Sequence, residues 1–346
     1  MNLRTVVEGG ILRSAMALPE QVQRLLGGGT LAVGGERLAA DLRMMLHLQR
    51  LAGKAEFATP DIEAGRAGLR ANAGLVGGDQ PIGAVRELTV AGCPARHYLP
   101  RGHRPQPGPL LVFFHGGGFL YGDLDSHDAP CRLLAEQSGV PVLSVAYGLG
   151  PEHPFPTAFD DAESAVRWVA EHAEELDVDP ARIGVAGDSA GGNIAAWVAI
   201  AAARAGLPLA FQLLVYPCTD EDRDTESLRL YGRGFYLTSD SIAYVDRTYL
   251  PLPEDRGNER MNLLDVALPD GLAPAHVVTA GFDPLRDEGE AYAARLEAAG
   301  VATTVRRYGD QIHGFLNIVG VGRTSRAAVL EIAEVVRDAL GAGNRP

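Results

Sequence analysis

The chain has 346 residues, 31 Lys+Arg against 44 Asp+Glu for a formal net charge of −13, and 46% hydrophobic residues. That balance excludes a nucleic-acid binder built on a basic stripe and electrostatic docking on anionic lipid, and the apolar content excludes a disordered chain. The length suits one large α/β domain of roughly 250–300 residues with an appendage, or two domains.

The first 80 residues read as helical. Residues 1–15 fit no pattern and are expected to form a frayed tail. Pro19 should sit in the first turn of a short helix carrying Val22, Leu25 and Leu26. Leu38 to Leu51 places Leu38, Leu42, Met45, Leu46 and Leu48 on a wide apolar face, an amphipathic helix. From Val85 the period changes. Val85–Val90 and Ala95–Leu99 form a strand pair with Gly92 in the turn. Strands and helices then alternate: strand Leu110–Phe114, a helix from Ser126 to Gly139, strand Val142–Val145, helix Phe159–Glu175, strand Ile183–Ala186, helix Gly191–Ala205 and strand Phe211–Tyr216. A charged, Tyr-rich stretch from Asp220 to Pro269 interrupts the rhythm. It resumes with strand Val277–Ala280, helix Glu288–Ala299, strand Thr303–Tyr308 and a last helix from Ser325 to Leu340. Such alternation means an α/β fold with a mostly parallel sheet and helices on both faces.

Three cysteines, Cys93, Cys131 and Cys218, are too few and too scattered for a disulfide framework or a zinc site, so a reduced, cytoplasmic compartment is expected. No apolar run approaches the ~20 residues of a membrane helix. The first 30 residues, with Arg4, Glu8, Arg13 and Glu20, lack a signal-peptide core. Secretion and stable membrane insertion are therefore not expected, nor is a nucleic-acid partner.

Ligands of such sheets sit at the carboxyl ends of the strands, and four features fall there. Gly187-Asp188-Ser189-Ala190-Gly191 is a G-x-S-x-G turn between a strand and a small-residue helix, which thrusts the Ser189 hydroxyl out at the helix N-terminus. His115-Gly116-Gly117-Gly118-Phe119 follows strand Leu110–Phe114. Its three glycines leave backbone N–H groups free to face one small anion, and no P-loop Lys-Ser/Thr follows. Asp283 ends strand Val277–Ala280, and His313 lies just past strand Thr303–Tyr308. After Ser189 the only histidines are His276, at the wrong end of its strand, and His313. Serine needs a base to take its proton and an acid to hold that imidazole, so Ser189, His313 and Asp283 are the expected nucleophile, base and orienter. His127, Glu152 and His153 are expected to make local hydrogen bonds; no metal site is expected.

The motifs HGGGF at 115–119, GDSAGG at 187–192, DPLRDEG at 283–289 and HGF at 313–315, with YGLGPEHPFP at 147–156, resemble the bacterial hormone-sensitive-lipase family of α/β-hydrolases, in its GDSAG subgroup. The resemblance covers roughly residues 80–340. It implies an α/β-hydrolase fold with a helical cap: residues 1–80 an N-terminal cap, 81–219 and 270–346 the catalytic domain, 220–269 a cap insertion. It also implies a carboxylesterase of short- to medium-chain acyl esters that needs no cofactor. The N–H groups of Gly117, Gly118 and Ala190 would form the oxyanion hole, with His115 supporting the glycine loop. The cap would roof an apolar pocket lined by Leu42, Met45, Tyr231, Phe235, Tyr236 and Leu237. An amidase or peptidase would use the same triad. A ligand-binding homologue of this fold lacks the catalytic histidine, which here is present as His313. A homodimer through an edge strand is the assembly the family offers. Family members carry Arg and Ala where this chain has Gly148 and Gly150, so a looser loop lacking an ion pair is expected there.

Overall fold

A computed structural model of the chain describes residues 3–53, 58–221 and 223–341. The N-terminal part contains α1 (Leu3–Met16), α2 (Glu20–Leu26), a small hairpin of β1 (Ala32–Val33) and β2 (Glu36–Arg37), α3 (Ala40–Leu51) and α4 (Ile62–Gly77). The expected tail is thus a helix. Pro19 caps α2 rather than entering it. Helix α4 has no strong sequence signature because glycine and alanine dominate it. Its start is nevertheless marked by Asp61, whose carboxylate accepts the Ala64 N–H at 3.0 Å.

The sheet then builds from β3 (Ala84–Val90), β4 (Cys93–Leu99), β5 (Gly108–Phe114), α5 (Asp128–Ser138), β6 (Val142–Val145), α6 (Thr157–Glu171), β7 (Val178–Asp188), α7 (Ala190–Arg204) and β8 (Phe211–Val215). After α8 (Glu226–Tyr231) and α9 (Ser239–Tyr249) it is completed by β9 (Ala275–Phe282), α10 (Arg286–Ala298), β10 (Thr303–Ile312) and α11 (Arg323–Leu340). The eight strands lie in the order β10-β9-β8-β7-β5-β6-β4-β3, with β4 alone antiparallel to its neighbours. Helix α5 starts one turn position later than expected. Ser126 bonds back to Asp123 instead of capping it.

Alternation along β5 shows why its sequence is a continuous apolar run. Leu110, Val112 and Phe114 join the core under α6 and α7, while Leu111 and Phe113 join the core under α5 and α11. Helices on both faces leave only the strand ends for chemistry. Strands β9 and β10 both run beyond their expected ends, because a register irregularity between Tyr308 and Ile312 lets β10 continue until Ile312 pairs with Phe282. Asp283 and His313 therefore leave neighbouring strands side by side.

A third apolar cluster joins the N-terminal helices to the segment between β8 and β9. It packs Met16, Leu42, Met45 and Leu46 against Tyr231, Phe235, Phe282 and Ile312. Leu42 is fully buried at this junction. Leu42→Ala is expected to cost about 2–5 kcal/mol by leaving a cavity. In urea denaturation this reads as a lower midpoint with an unchanged slope.

Candidate active site

Strands β5 and β7 are neighbours, with Phe114 opposite Gly187, so the loops leaving them pass each other closely. A Cβ on Gly187 would stand 2.0 Å from the Gly191 carbonyl oxygen, and one on Gly191 would stand 2.0 Å from that of Phe114. No side chain fits either position, which explains both glycines of G-x-S-x-G. Between them Ser189 holds φ 56° and ψ −120°, a backbone conformation that costs a non-glycine residue about 1–3 kcal/mol. The surrounding bonds enforce it: Ser189 N–H donates to Val215 O at 2.9 Å, and its carbonyl accepts from Cys218 N at 3.2 Å.

From that turn the Ser189 Oγ lies 2.9 Å from His313 Nε2, and His313 Nδ1 lies 2.7 Å from Asp283 Oδ2. Asp283 is fully buried, and its second oxygen accepts the Leu285 N–H at 2.8 Å. A carboxylate acceptor fixes the proton on Nδ1, so Nε2 presents its lone pair to the serine hydroxyl. The Tyr216 ring backs the imidazole, centroids 4.6 Å apart.

The glycine loop is tied to the serine turn through Asp188. Its buried carboxylate accepts the Gly116 N–H at 2.7 Å and pairs with His127 Nε2 at 3.2 Å. Burial pushes the Asp188 carboxyl upward, but His127 and the Gly116 N–H outweigh it, and the group ends below the usual carboxylate range. His127 thus holds the residue beside Ser189, a role that its position in sequence did not disclose. His115 stacks on Tyr147 at 4.5 Å and bonds Gly116 O through Nδ1 at 3.0 Å. Among the described residues, no acceptor takes the N–H groups of Gly117, Gly118 or Ala190. Ala190 opens α7, where the helix leaves such groups unpaired.

Two cavities open at Ser189. The larger, about 70 Å³, is lined by His313, Gly116 and Gly117 and by Met45, Leu69, Asn72 and Tyr236 among others. The smaller, about 40 Å³, is lined by Gly118, Phe119, Ala190 and Leu237 among others. Met45, Tyr236 and Leu237 therefore face the cavities. Leu42, Tyr231 and Phe235 do not: they are buried in the junction cluster, where the Tyr231 ring meets Phe235 and Phe282 edge-on at 5.7 and 5.4 Å. Apolar side chains at that junction gain more by packing on one another than by lining a cavity. The lining contributed by α4 goes unnamed in the sequence reading because the helical stretch 1–80 is not divided there into a helix at 62–77.

The loop at Gly148 and Gly150 is tied rather than loose. Arg66, from α4, donates to the carbonyls of Leu120 and Gly150 at 2.8 Å each and forms a two-pronged pair with Glu152 at 2.8 and 2.9 Å. Gly148 N–H donates to Asp161 at 2.8 Å. Among the described residues, no group of three or more His, Cys, Asp or Glu is placed to hold a metal ion, and no helix is long and apolar enough to cross a membrane.

A buried Ser-His-Asp chain at the strand ends of such a sheet defines a hydrolase class, and comparison with known proteins agrees. A family model described as alpha/beta hydrolase fold matches residues 111–317. The carboxylic ester hydrolase LipN of Mycobacterium tuberculosis is 41% identical over 96% of this chain and 91% of its own. An ethyl acetate hydrolase of Pseudomonas putida is 37% identical over 71% and 79%. A solved esterase of Pyrobaculum calidifontis superposes with a TM-score of 0.81 at 38% identity, over 87% of this chain and 98% of that one. The chain belongs to the α/β-hydrolase family, in its hormone-sensitive-lipase-like branch.

Burial also sets how the site answers acid. It pushes His115 down to about 4, helped by neighbouring His127, and pushes His276, at the far end of β9, down to about 4 as well. Both stay neutral in the fold while the unfolded chain takes up their protons below about 6.5. Their contribution is fully present above pH 6.5 and is lost as pH falls toward 4, on the order of 1–3 kcal/mol each. His276→Gln should make the fall of the urea midpoint between pH 6.5 and 4 shallower; an unchanged slope would contradict the assignment.

Proposed function

We propose that the protein is a serine carboxylesterase that hydrolyses short- to medium-chain acyl esters. The observation that carries this reading is the hydrogen-bonded chain Ser189–His313–Asp283, at 2.9 and 2.7 Å, beside three N–H groups without acceptors. Relatives whose names specify ester hydrolysis favour an ester over an amide.

In the first half-reaction the Ser189 Oγ attacks the ester carbonyl while its proton passes to His313 Nε2. Asp283 stabilises the imidazolium and keeps its tautomer. Negative charge gathers on the former carbonyl oxygen and is met by the N–H groups of Gly117, Gly118 and Ala190, each worth on the order of 10²–10³ in rate. His313 then gives its proton to the departing alcohol oxygen as the C–O bond breaks, leaving the acyl group on Ser189. Water repeats the sequence: His313 takes its proton, the hydroxyl adds to the acyl carbon, and Ser189 leaves with the proton returned. In this reading the N-terminal helices and the segment between β8 and β9 form the cap.

Ser189→Ala should lower p-nitrophenyl butyrate hydrolysis by a factor on the order of 10⁴–10⁶ with folding retained, and Asp283→Asn by about 10⁴. Activity surviving Ser189→Ala would place the nucleophile elsewhere. Activity should also collapse between butyrate and palmitate esters; a rise toward palmitate would make the enzyme a true lipase.

A further inference from the structure

The two cavities at Ser189 are not equivalent, and the proton path distinguishes them. The departing alcohol oxygen must receive its proton from His313 Nε2, so the alcohol half of an ester lies on the His313 side. His313 lines the larger cavity and is absent from the smaller one, which begins at Gly118 and Ala190. The acyl half must leave the carbonyl in the opposite direction, into the smaller cavity.

That smaller cavity has an unusual wall. Leu237, Ile242, Val245 and Leu285 are apolar, but Cys218, Arg223 and Asp246 also line it. Cys218 is adjacent to the serine turn, its N–H bonded to Ser189 O at 3.2 Å. Arg223 donates through Nη2 to Cys218 Sγ at 3.1 Å, through Nη1 to Asp246 at 3.1 Å and through Nε to Glu288 at 2.8 Å. Thr219 N–H also donates to Glu288, at 2.8 Å. The Nη2 acceptor is a thiol, a weak one. Resting on the ester-hydrolase reading above, we propose that this cavity is the acyl subsite and that Arg223, with Asp246, is the specificity-determining residue that limits acyl length. The class of acyl group admitted is short, or longer only where a neutral oxygen reaches the guanidinium. Alkyl methylenes laid over the pair strip its remaining hydration and return no hydrogen bond. A neutral ether or keto oxygen replaces the thiol as the Nη2 acceptor. An anionic chain end meets Asp246 and is repelled.

The test uses the wild-type enzyme first, with ethyl esters of 4-methoxybutanoate and hexanoate, which match in chain length and shape. The methoxybutanoate ester should be favoured in kcat/KM by about fivefold or more, within the range that one hydrogen bond or methylene commands. Equal rates or a preference for hexanoate would overturn the role of Arg223. Two variants then test the cavity assignment. Ile242→Trp, in the smaller cavity, should lower the butyrate-to-acetate ratio of kcat/KM about tenfold while the octyl-to-ethyl acetate ratio moves less than about threefold. Leu69→Trp, in the larger cavity, should do the reverse. If each acts on the other series, the subsites are reversed and the proposal fails. In the paired variant Arg223→Met with Asp246→Leu, the octanoate-to-butyrate ratio should rise about tenfold. Burial pushes the remaining Glu288 up to about 7, so it can take a proton when its partner is gone. No hydrolysis of any ester by the wild type would instead defeat the ester-hydrolase reading, a separate outcome.

Discussion

The carbonyl of Phe114 stands where a methyl group on Gly191 would touch it at 2.0 Å, and the carbonyl of Gly191 stands at the same distance from the place of a methyl on Gly187. This interlocking of two loops is the constraint on which the site depends. It fixes the height at which β5 and β7 end, forces Ser189 into its costly backbone conformation, and brings the glycine loop to the N-terminus of α7. The Ser189 hydroxyl and the N–H groups without acceptors are thereby held by backbone geometry on adjoining loops. On the proposed function, preorganisation of this kind would stabilise developing charge without reorganisation at the moment of reaction.

Two buried carboxylates divide the work behind that point. Asp283 takes the imidazole on one oxygen and a backbone N–H on the other. Asp188 takes the Gly116 N–H and His127, so its charge binds loop to loop rather than side chain to substrate. Each anion has its own donors, as buried charge requires. Removing one partner leaves a buried charge uncompensated, which makes these contacts costly to disturb singly.

How much of this the sequence disclosed depends on whether the signal is local. Ser189, Asp283 and His313 could be placed because each follows an apolar strand, and strand ends are readable from short runs of β-branched and aromatic residues. His313 was reached partly by elimination, since His276 opens its strand. The bond from His127 to Asp188 spans 61 positions and leaves no periodic trace. The helical reading of residues 1–80 does not delimit α4, whose glycines have low helix propensity, so Leu69 and Asn72 do not register as cavity lining. The misassigned trio Leu42, Tyr231 and Phe235 were rightly read as apolar and facing inward. Whether an inward residue meets a cavity or another side chain is decided by tertiary packing, which one-dimensional pattern does not encode.

Arg66 carries a consequence for how this chain can change. It brings a guanidinium from α4 to the carbonyls of Leu120 and Gly150, beside a loop whose own position 148 is glycine. A Cβ at Gly148 would meet the Cβ of His153 at 2.9 Å and an oxygen of Asp161 at 3.1 Å. Placing a larger residue at 148 therefore requires His153 to move, and losing Arg66 removes the guanidinium that pairs with Glu152. The two positions, 82 residues apart, thus brace one loop from two sides, so a change at either alters the setting in which the other is tolerated.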